Sequence, residues 1–424
     1  MTNSNTQGLN LAAQEIASGH EGGVIDQVKA YFSRVKNGEM GALPAVGALL
    51  VLTALFSYLS PYFLTKLNFA NLFVQAAQLT TLAVALVFVL LLAEIDLSAG
   101  VAAGVAMDVF YLTTTFGVPW PIGIASALGV GVILGLTLGF FVAKIGVPSF
   151  VITLAFFLGL QGVALILLGD GGLFRVEVPE VRAIMNENLP VWGGWLLLFI
   201  VVGVSAGMGF YDRYRRTASG LVNRPVSLLL IKLAFMTLVG GGVIYVLNLN
   251  RSASVKEISG VPIVIPIVLV IIFLGTFLLD RTRFGRHLYA VGGNPEAARR
   301  AGIKVVRIRI TAFVITSSLA VIAGLFHVSR IGVVEAAAGR TIVLSGVAAA
   351  VVGGVSLFGG RGRLIHAALG AMVISIIDNG LGLLGLSAGI SFVVTGTVLA
   401  LAATVDAVSR KRSGGSRRTK QAIT

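Results

Sequence analysis

Three carboxylates fall inside or against apolar runs of this chain: Asp96, Asp108 and Asp378. An ionised group in hydrocarbon costs at least ~2.5 kcal/mol on insertion scales, so such residues are functional candidates by default. Two short strings stand out, Glu94-Ile95-Asp96-Leu97-Ser98 and Asp378-Asn379-Gly380. The chemistries open to them are few. Paired carboxylates on facing helices could cleave peptide bonds within a membrane, but none of the three stands in a recognisable protease motif. Asp108 and Asp378 could instead bind protons or sodium in an ion-coupled secondary transporter of a small solute. The bland alternative is capping, with Asp96 or Ser98 accepting from the first amides of the segment that follows.

Other chemistry is excluded by absence. No Gly-Lys dipeptide occurs, so there is no G-x-x-x-x-G-K-[ST] phosphate loop and no means for this chain by itself to harness ATP. The four histidines, His20, His287, His327 and His366, are scattered, and His20-Glu21 is not completed by a histidine at position 24. With no cysteine, disulfides, Cys-ligated zinc and thiol catalysis fall away. The sequence therefore suggests no catalytic residue and no metal ligand.

One basic stretch has a different kind of chemistry, that of docking. Gly292-Gly293-Asn294-Pro295-Glu296-Ala297-Ala298-Arg299-Arg300-Ala301-Gly302 reads as a complete short helix. Asn294 suits the cap, Pro295 the first turn, and Glu296 the positive end of the dipole. Arg299 and Arg300 meet the negative end, and Gly302 can take the left-handed stop. Spanning only roughly 10 Å, such a helix is marginal alone in water and needs a surface to hold it. Ala297, Ala298 and Ala301 are expected to form one small smooth face suited to a cleft on another protein. On spacing alone, a helix resting on lipid headgroups with its arginines on phosphates fits equally.

The elements that must position these residues are apolar segments. The chain has 424 residues, 56% of them hydrophobic and 12% charged, with a mean hydropathy of +0.94. That composition belongs to an all-α polytopic membrane protein. Segments long enough to cross roughly 30 Å of hydrocarbon fall near 41–60, 71–92, 97–116, 119–143, 148–169, 191–210, 226–248, 262–279, 310–330, 342–358, 364–385 and 387–405. The segment 97–116 follows Glu94 and Asp96 and carries Asp108, so a broken or re-entrant element there would leave ten or eleven full crossings. Residues 1–21 read as a disordered tail, 22–40 as an amphipathic helix in the interface, and 406–424 as a basic tail. The first 40 residues lack the pattern of a cleaved signal peptide. Gly131, Gly135 and Gly139, like Gly100 and Gly104, repeat at four-residue spacing and should let helices approach closely.

With alternating spans and an inside N-terminus, one side collects 24 Lys or Arg and the other 7. The bias places both termini and the loop 280–309 in the cytoplasm. It also accounts for the net charge of +14 without nucleic acid.

With those residues in view, the chain resembles the bacterial ABC-type monosaccharide permeases, the membrane subunits of ribose, arabinose, galactose and xylose importers. The likeness runs from about residue 68 to the last span. It is densest in Thr282-Arg283-Phe284-Gly285-Arg286-His287-Leu288-Tyr289-Ala290-Val291-Gly292-Gly293-Asn294 through Ala297-Ala298 to Gly302-Ile303. Further matches are Ile95-Asp96-Leu97-Ser98, Val147-Pro148-Ser149-Phe150, Gly353-Gly354-Val355-Ser356-Leu357-Phe358-Gly359-Gly360 and Asn379-Gly380-Leu381. The run from Val147 to Leu154, Ala93-Glu94, Asp378 and the extra stretch around 211–246 look most like the longer, xylose-type members.

The resemblance implies a homodimeric importer subunit of the plasma membrane for D-xylose or a related pentose or hexose. Its implied partners are an ABC ATP-binding subunit carrying ATP and Mg, an external sugar-binding protein, a second copy of itself and the bilayer. The coupling residues it implies are Gly292, Gly293, Asn294, Glu296, Ala297, Ala298, Arg300 and Gly302, with the two glycines allowing a sharp entry. A neutral sugar needs hydroxyl-pairing groups and no fixed counter-charge. Asp96, Ser98, Phe150, Thr153, Asp378 and Asn379 are the pathway candidates. A receptor-like assembly protein without solute flux is the remaining reading.

Overall fold

Residues 66–90 carry the longest uninterrupted buried run in the chain, and the other helices are arranged about it. The computed structural model describes residues 43–421 apart from 170–171, 222, 224, 253, 337–338 and 341. The expected tail and interfacial helix at 1–40 lie outside the described residues. The helices are α1 (Leu43–Leu59), α2 (Lys66–Leu90), α3 (Ala99–Thr115), α4 (Trp120–Phe140), α5 (Ser149–Leu168), α6 (Pro179–Asn186), α7 (Val191–Ala218) and α8 (Val226–Asn248). They continue with α9 (Val264–Arg281), α10 (Arg283–Gly293), α11 (Pro295–Arg300), α12 (Val305–Ile331), α13 (Ile342–Val352), α14 (Leu364–Leu383) and α15 (Ala388–Gln421). Two-residue strands β1 (Phe174–Arg175) and β2 (Val333–Val334) pair antiparallel, and α4 ends in a π-helical turn over Phe141–Ile145. Among the described residues, eight helices are long and apolar enough to cross a bilayer.

Within lipid, burial of apolar surface does not pull helices together, so close backbone approach must. The glycine stripe of α4 does this. A Cβ at Gly135 or Gly139 would come within 2.9 Å of Val314 N or 2.7 Å of Ile310 Cα, and one at Gly131 within 3.1 Å of Ser317 O. The stripe expected from Gly131, Gly135 and Gly139 is thus the seam between α4 and α12. α12 in turn lies along α2 and α3, and α14 and α13 close α2 from the other side. From Leu82 to Leu92 every side chain of the central helix and its C-terminal turn is buried.

All twelve predicted segments contain a helix; eight are long and apolar enough to cross, and the apolar helices at Leu43–Leu59, Ala99–Thr115, Ile342–Val352 and Ala388–Thr404 are shorter. α3 has 17 residues and would span about 25 Å, as the flagged segment 97–116 allowed. The expectation of a full helix over 342–358 is corrected. α13 stops after 11 residues, about 16 Å, because the Gly353-Gly354 turn ends it. Gly354 has φ +97°, and a Cβ at Gly353 would collide with His366 O on α14. The irregular backbone that follows is tolerated because Val355 and Ser356 are buried in protein, not lipid.

Contacts sort the loops into two ends of the bundle. At one end β1 meets β2, Lys66 Nζ donates to Asn250 O at 3.2 Å, and Asn188 bridges Pro262. At the other, Gly360 N–H donates to Leu91 O at 2.8 Å, Tyr289 Oη–H to Gly362 O at 2.8 Å, and Arg281 holds Asp212. Every loop named here falls on the side that strict alternation of the twelve segments assigns to it.

Candidate coupling surface and permeation path

At the Leu91 end, α10 and α11 form a projection that turns at Asn294. Within the loop expected over 280–309, Thr282 caps a helix, α10, and accepts from Gly285 N–H at 3.4 Å. Its inward residues Gly285, Leu288 and Val291 recur every third position and are buried, which is the signal that would have revealed it. Asn294 then turns the chain with φ −161° and ψ 102°, and its Oδ1 accepts from Ala297 N–H at 3.0 Å. α11 closes with Gly302 at φ +81°. Ile303 N–H donates to Ala298 O and Gly302 N–H to Arg299 O, both at 3.0 Å, the double closure of a glycine-stopped helix. The caps expected for α11, Asn294 at its start and Gly302 at its end, are those observed.

The expected alanine face does not. Ala298 is 5% exposed and packs into the main core of its own chain, while Ala297 and Ala301 face outward with Glu296, Arg299 and Arg300. Positions 297 and 301 share a face at i, i+4 and 298 lies about 100° away, so the three alanines cannot act together. The outward face is two alanines framed by charge, with Arg299 Nη1 holding Glu296 Oε1 at 2.9 Å.

The glycines are corrected as well. Gly292 and Gly293 are the last residues of α10, and neither has positive φ. The sharp entry belongs to Asn294. Gly292 is needed for proximity, since a Cβ there would collide with Leu91 O and stand 3.0 Å from Gly360 N. Gly293 has open space around it. The projection is therefore seated directly on the backbone that joins α2 to α3.

That joint leads to the first cluster of pathway candidates. Glu94 Oε1 lies 3.4 Å from Arg309 Nη2 on α12, a half-buried pair. Asp96 Oδ1 accepts from Ser98 N–H at 2.9 Å and from Ser98 Oγ–H at 2.6 Å, so it organises the start of α3 as a capping carboxylate does. Thr153 Oγ1 donates to Ile95 O at 3.1 Å, and Ser149 Oγ accepts from Ile95 N–H at 3.2 Å, so α5 clasps the same turn. Phe150 does not join it: its ring is 52% exposed on the outer face of α5.

Asp378 and Asn379 sit at the opposite end of α2, about 35 Å away by helix rise. Asn379 is buried and exchanges two 2.9 Å hydrogen bonds with the Asn68 amide, and its Nδ2 reaches Gln75 Oε1 at 3.4 Å. Asp378, one residue earlier, faces off the chain. The sequence reading missed the partner stripe. Asn68, Asn71, Gln75 and Gln78 recur at i, i+3, i+7 and i+10 on one face of α2, a mostly apolar helix. Gln78 Oε1 meets His327 Nδ1 at 3.1 Å beside a cavity of about 20 Å³, room for one water. This is an uncharged ladder of donors and acceptors, the chemistry that hydroxyls pair with.

The two carboxylates of the ion-coupled reading are disposed differently. Asp108 is fully buried in α3 and Asp378 is exposed on α14. Among the described residues no three His, Asp or Glu side chains are grouped to hold a metal ion.

A bundle of eight long apolar helices, the central α2 and α12 among them, with an amide ladder inside and a charged helical projection at one end, defines a polytopic α-helical membrane protein. Residues 68–403 match the family described as the permease component of branched-chain amino acid transport systems. The xylose transport system permease protein XylH of Escherichia coli K12 is 32% identical over 384 residues, 90% of this chain and 95% of its own. XylH of Haemophilus influenzae is 33% identical over 374 residues, covering 86% and 96%. The ribose import permease protein RbsC of Escherichia coli K12 is 30% identical over 359 residues, covering 85% and 91%. No solved structure matches. The chain belongs to this bacterial ABC permease family, within its monosaccharide branch.

Proposed function

We propose that the chain is the membrane subunit of an ATP-driven importer of D-xylose or a related pentose or hexose, working as a homodimer in the plasma membrane. ATP and Mg reside on a separate ATP-binding subunit, and an external sugar-binding protein delivers the cargo. Both termini and the α10–α11 projection face the cytoplasm, the side richer in Lys and Arg.

The observation that carries this reading is the seating of Gly292 on Leu91. Force applied to the outward face of α11 has a short rigid route through α10 into the 91–98 joint, to Glu94 and Arg309, and so to the starts of α3 and α12. A bound sugar would exchange hydroxyl hydrogen bonds with the α2 amide ladder. Asp378 supports the dimer, because a carboxylate facing lipid is costly and one facing a second copy across a watery path is not.

Bulky substitution at the outward positions tests the docking. A297W/A301W is expected to abolish co-purification of the ATP-binding subunit while the permease inserts and melts normally. Retained association would sink the proposal. In uptake assays on vesicles, loss of flux without the ATP-binding subunit and resistance to an uncoupler are expected; the reverse would favour the ion-coupled reading through Asp108 and Asp378. Absence of flux in a fully reconstituted system would favour an assembly protein.

A further inference from the structure

Gln78 is the deepest rung of the α2 amide ladder, about 18 Å along the helix from Lys66. Beyond it Thr80 stands on the other side of the helix, and Thr81 is turned back on Ala77 O at 2.9 Å. From Leu82 to Leu92 every side chain is apolar and buried. The ladder therefore ends at Gln78 and at His327, which meets it from α12 at 3.1 Å.

The void beside that pair has unusual walls. They are Gly100, Ala103 and Gly104 of α3 and Ala320, Ala323 and Gly324 of α12, and the described residues around it, His327 aside, are not ionisable. A Cβ at Gly324 would stand 3.1 Å from Ala103 O, so the two helices touch through their smallest residues. Axes approach to about 8 Å across such contacts and stand about 10 Å apart across larger side chains, which leaves α3 and α12 roughly 2 Å of travel within ordinary packing. These are also the two helices that the 91–98 joint holds near their starts, α3 through Asp96 and Ser98 and α12 through the Glu94–Arg309 pair. A pull on the joint acts on both walls of the void.

We propose that the space between α3 and α12 is a transit site for a neutral sugar, with Gln78 and His327 as its hydroxyl-binding residues. The two side chains satisfy each other across 3.1 Å while the walls are closed. When the walls part, neighbouring hydroxyls take their places: one donates to the Gln78 amide oxygen and the other pairs with the imidazole nitrogen. Walls without fixed charge suit a polyol and give an anion no partner. This role rests on the importer reading above and adds the residues that hold the cargo halfway.

Transport by vesicles that hold the whole assembly, permease with ATP-binding subunit and saturating binding protein loaded with D-xylose or D-ribose, tests it. Q78L and H327F are each expected to lower the sugar moved per ATP hydrolysed about tenfold, with ATP hydrolysis within about twofold of wild type. H327N keeps an amide where the ring nitrogen lies and is expected to recover most of the loss. T397V, which removes an exposed hydroxyl bonded only to Val393 O, is expected to change neither quantity. Should Q78L or H327F fail to insert, Q78N, shorter by one carbon, carries the same expectation. Variants that move as much sugar per ATP as a working wild type overturn the transit site and leave the importer reading intact. Transport and hydrolysis falling in equal proportion would mean that the pair only braces the helices, which overturns it too. A wild type that moves neither sugar brings down the importer reading and the site with it.

Discussion

The carbonyl of Leu91 occupies the place where a side chain on Gly292 would have to be, and in that position it accepts the Gly360 amide at 2.8 Å. Three loops thus meet at one oxygen. G292A is expected to cost about 1–3 kcal/mol by forcing the projection off the joint. G293A, one residue on in open space, is expected to be neutral or to gain up to about 1 kcal/mol as a helical Gly-to-Ala change. Thermal melts of the two variants decide it, and a coupling role further requires that G292A depress stimulation of the ATP-binding subunit where G293A does not. Equal behaviour of the pair would remove Gly292 from the transmission route.

Ala298 and Ala301 separate structural from docking roles on one helix. A298W is expected to destabilise the permease by about 1–3 kcal/mol, because the site is enclosed by its own core. A301W is expected to leave the melting temperature unchanged. A melt of each variant without any partner present checks both.

Glu94 and Arg309 tie the 91–98 joint to α12 across 3.4 Å, in partial burial where solvent screens little of the attraction. Removing either charge leaves the other without its partner, so E94Q or R309Q is expected to lower uptake while insertion persists. The exchange E94R/R309E is expected to recover part of the loss. A double-mutant cycle showing additive effects would mean the pair does not act together.

Asn68 and Asn379 share a buried two-way amide bond at the far end of α2. Truncating either to Ala leaves its partner's polar atoms unsatisfied, at about 1–3 kcal/mol. The double variant N68A/N379A is expected to cost less than the two single losses together. If the ladder carries sugar, Q75A, half-buried beside the pair, is expected to raise the KM for uptake with little change in stability.

Tyr289 reports on the seating of α10. Burial, with Asp280 adding repulsion, pushes its hydroxyl up to about 12. The proton is needed to donate to Gly362 O, so this contribution to stability is fully present below the ordinary tyrosine value near 10 and fades as the pH rises through about 12. Y289F is expected to lose about 1 kcal/mol near neutrality and to flatten that alkaline fall. Melts across the alkaline range would show whether the slope is unchanged instead.

Local rules sufficed wherever a feature depends on neighbours in the chain. Asn294, Pro295, Glu296 and Gly302 prescribe α11 because caps, dipole ends and left-handed stops are settled within one turn. The twelve apolar segments and the Gly131-Gly135-Gly139 seam were legible for the same reason, since hydrocarbon thickness and four-residue spacing are properties of a single helix. Tertiary structure alone decided the rest. Nothing local says that Ala298 turns inward while Ala301 does not, or that Gly292 is small because Leu91, 201 positions earlier, passes against it. Nor could Asp96 and Asp378, alike as carboxylates beside apolar runs, be told apart: one caps a helix start and the other faces off the chain, about 35 Å along α2. Which face of a helix meets which neighbour depends on how whole helices pack, and that is fixed by surfaces far apart in sequence.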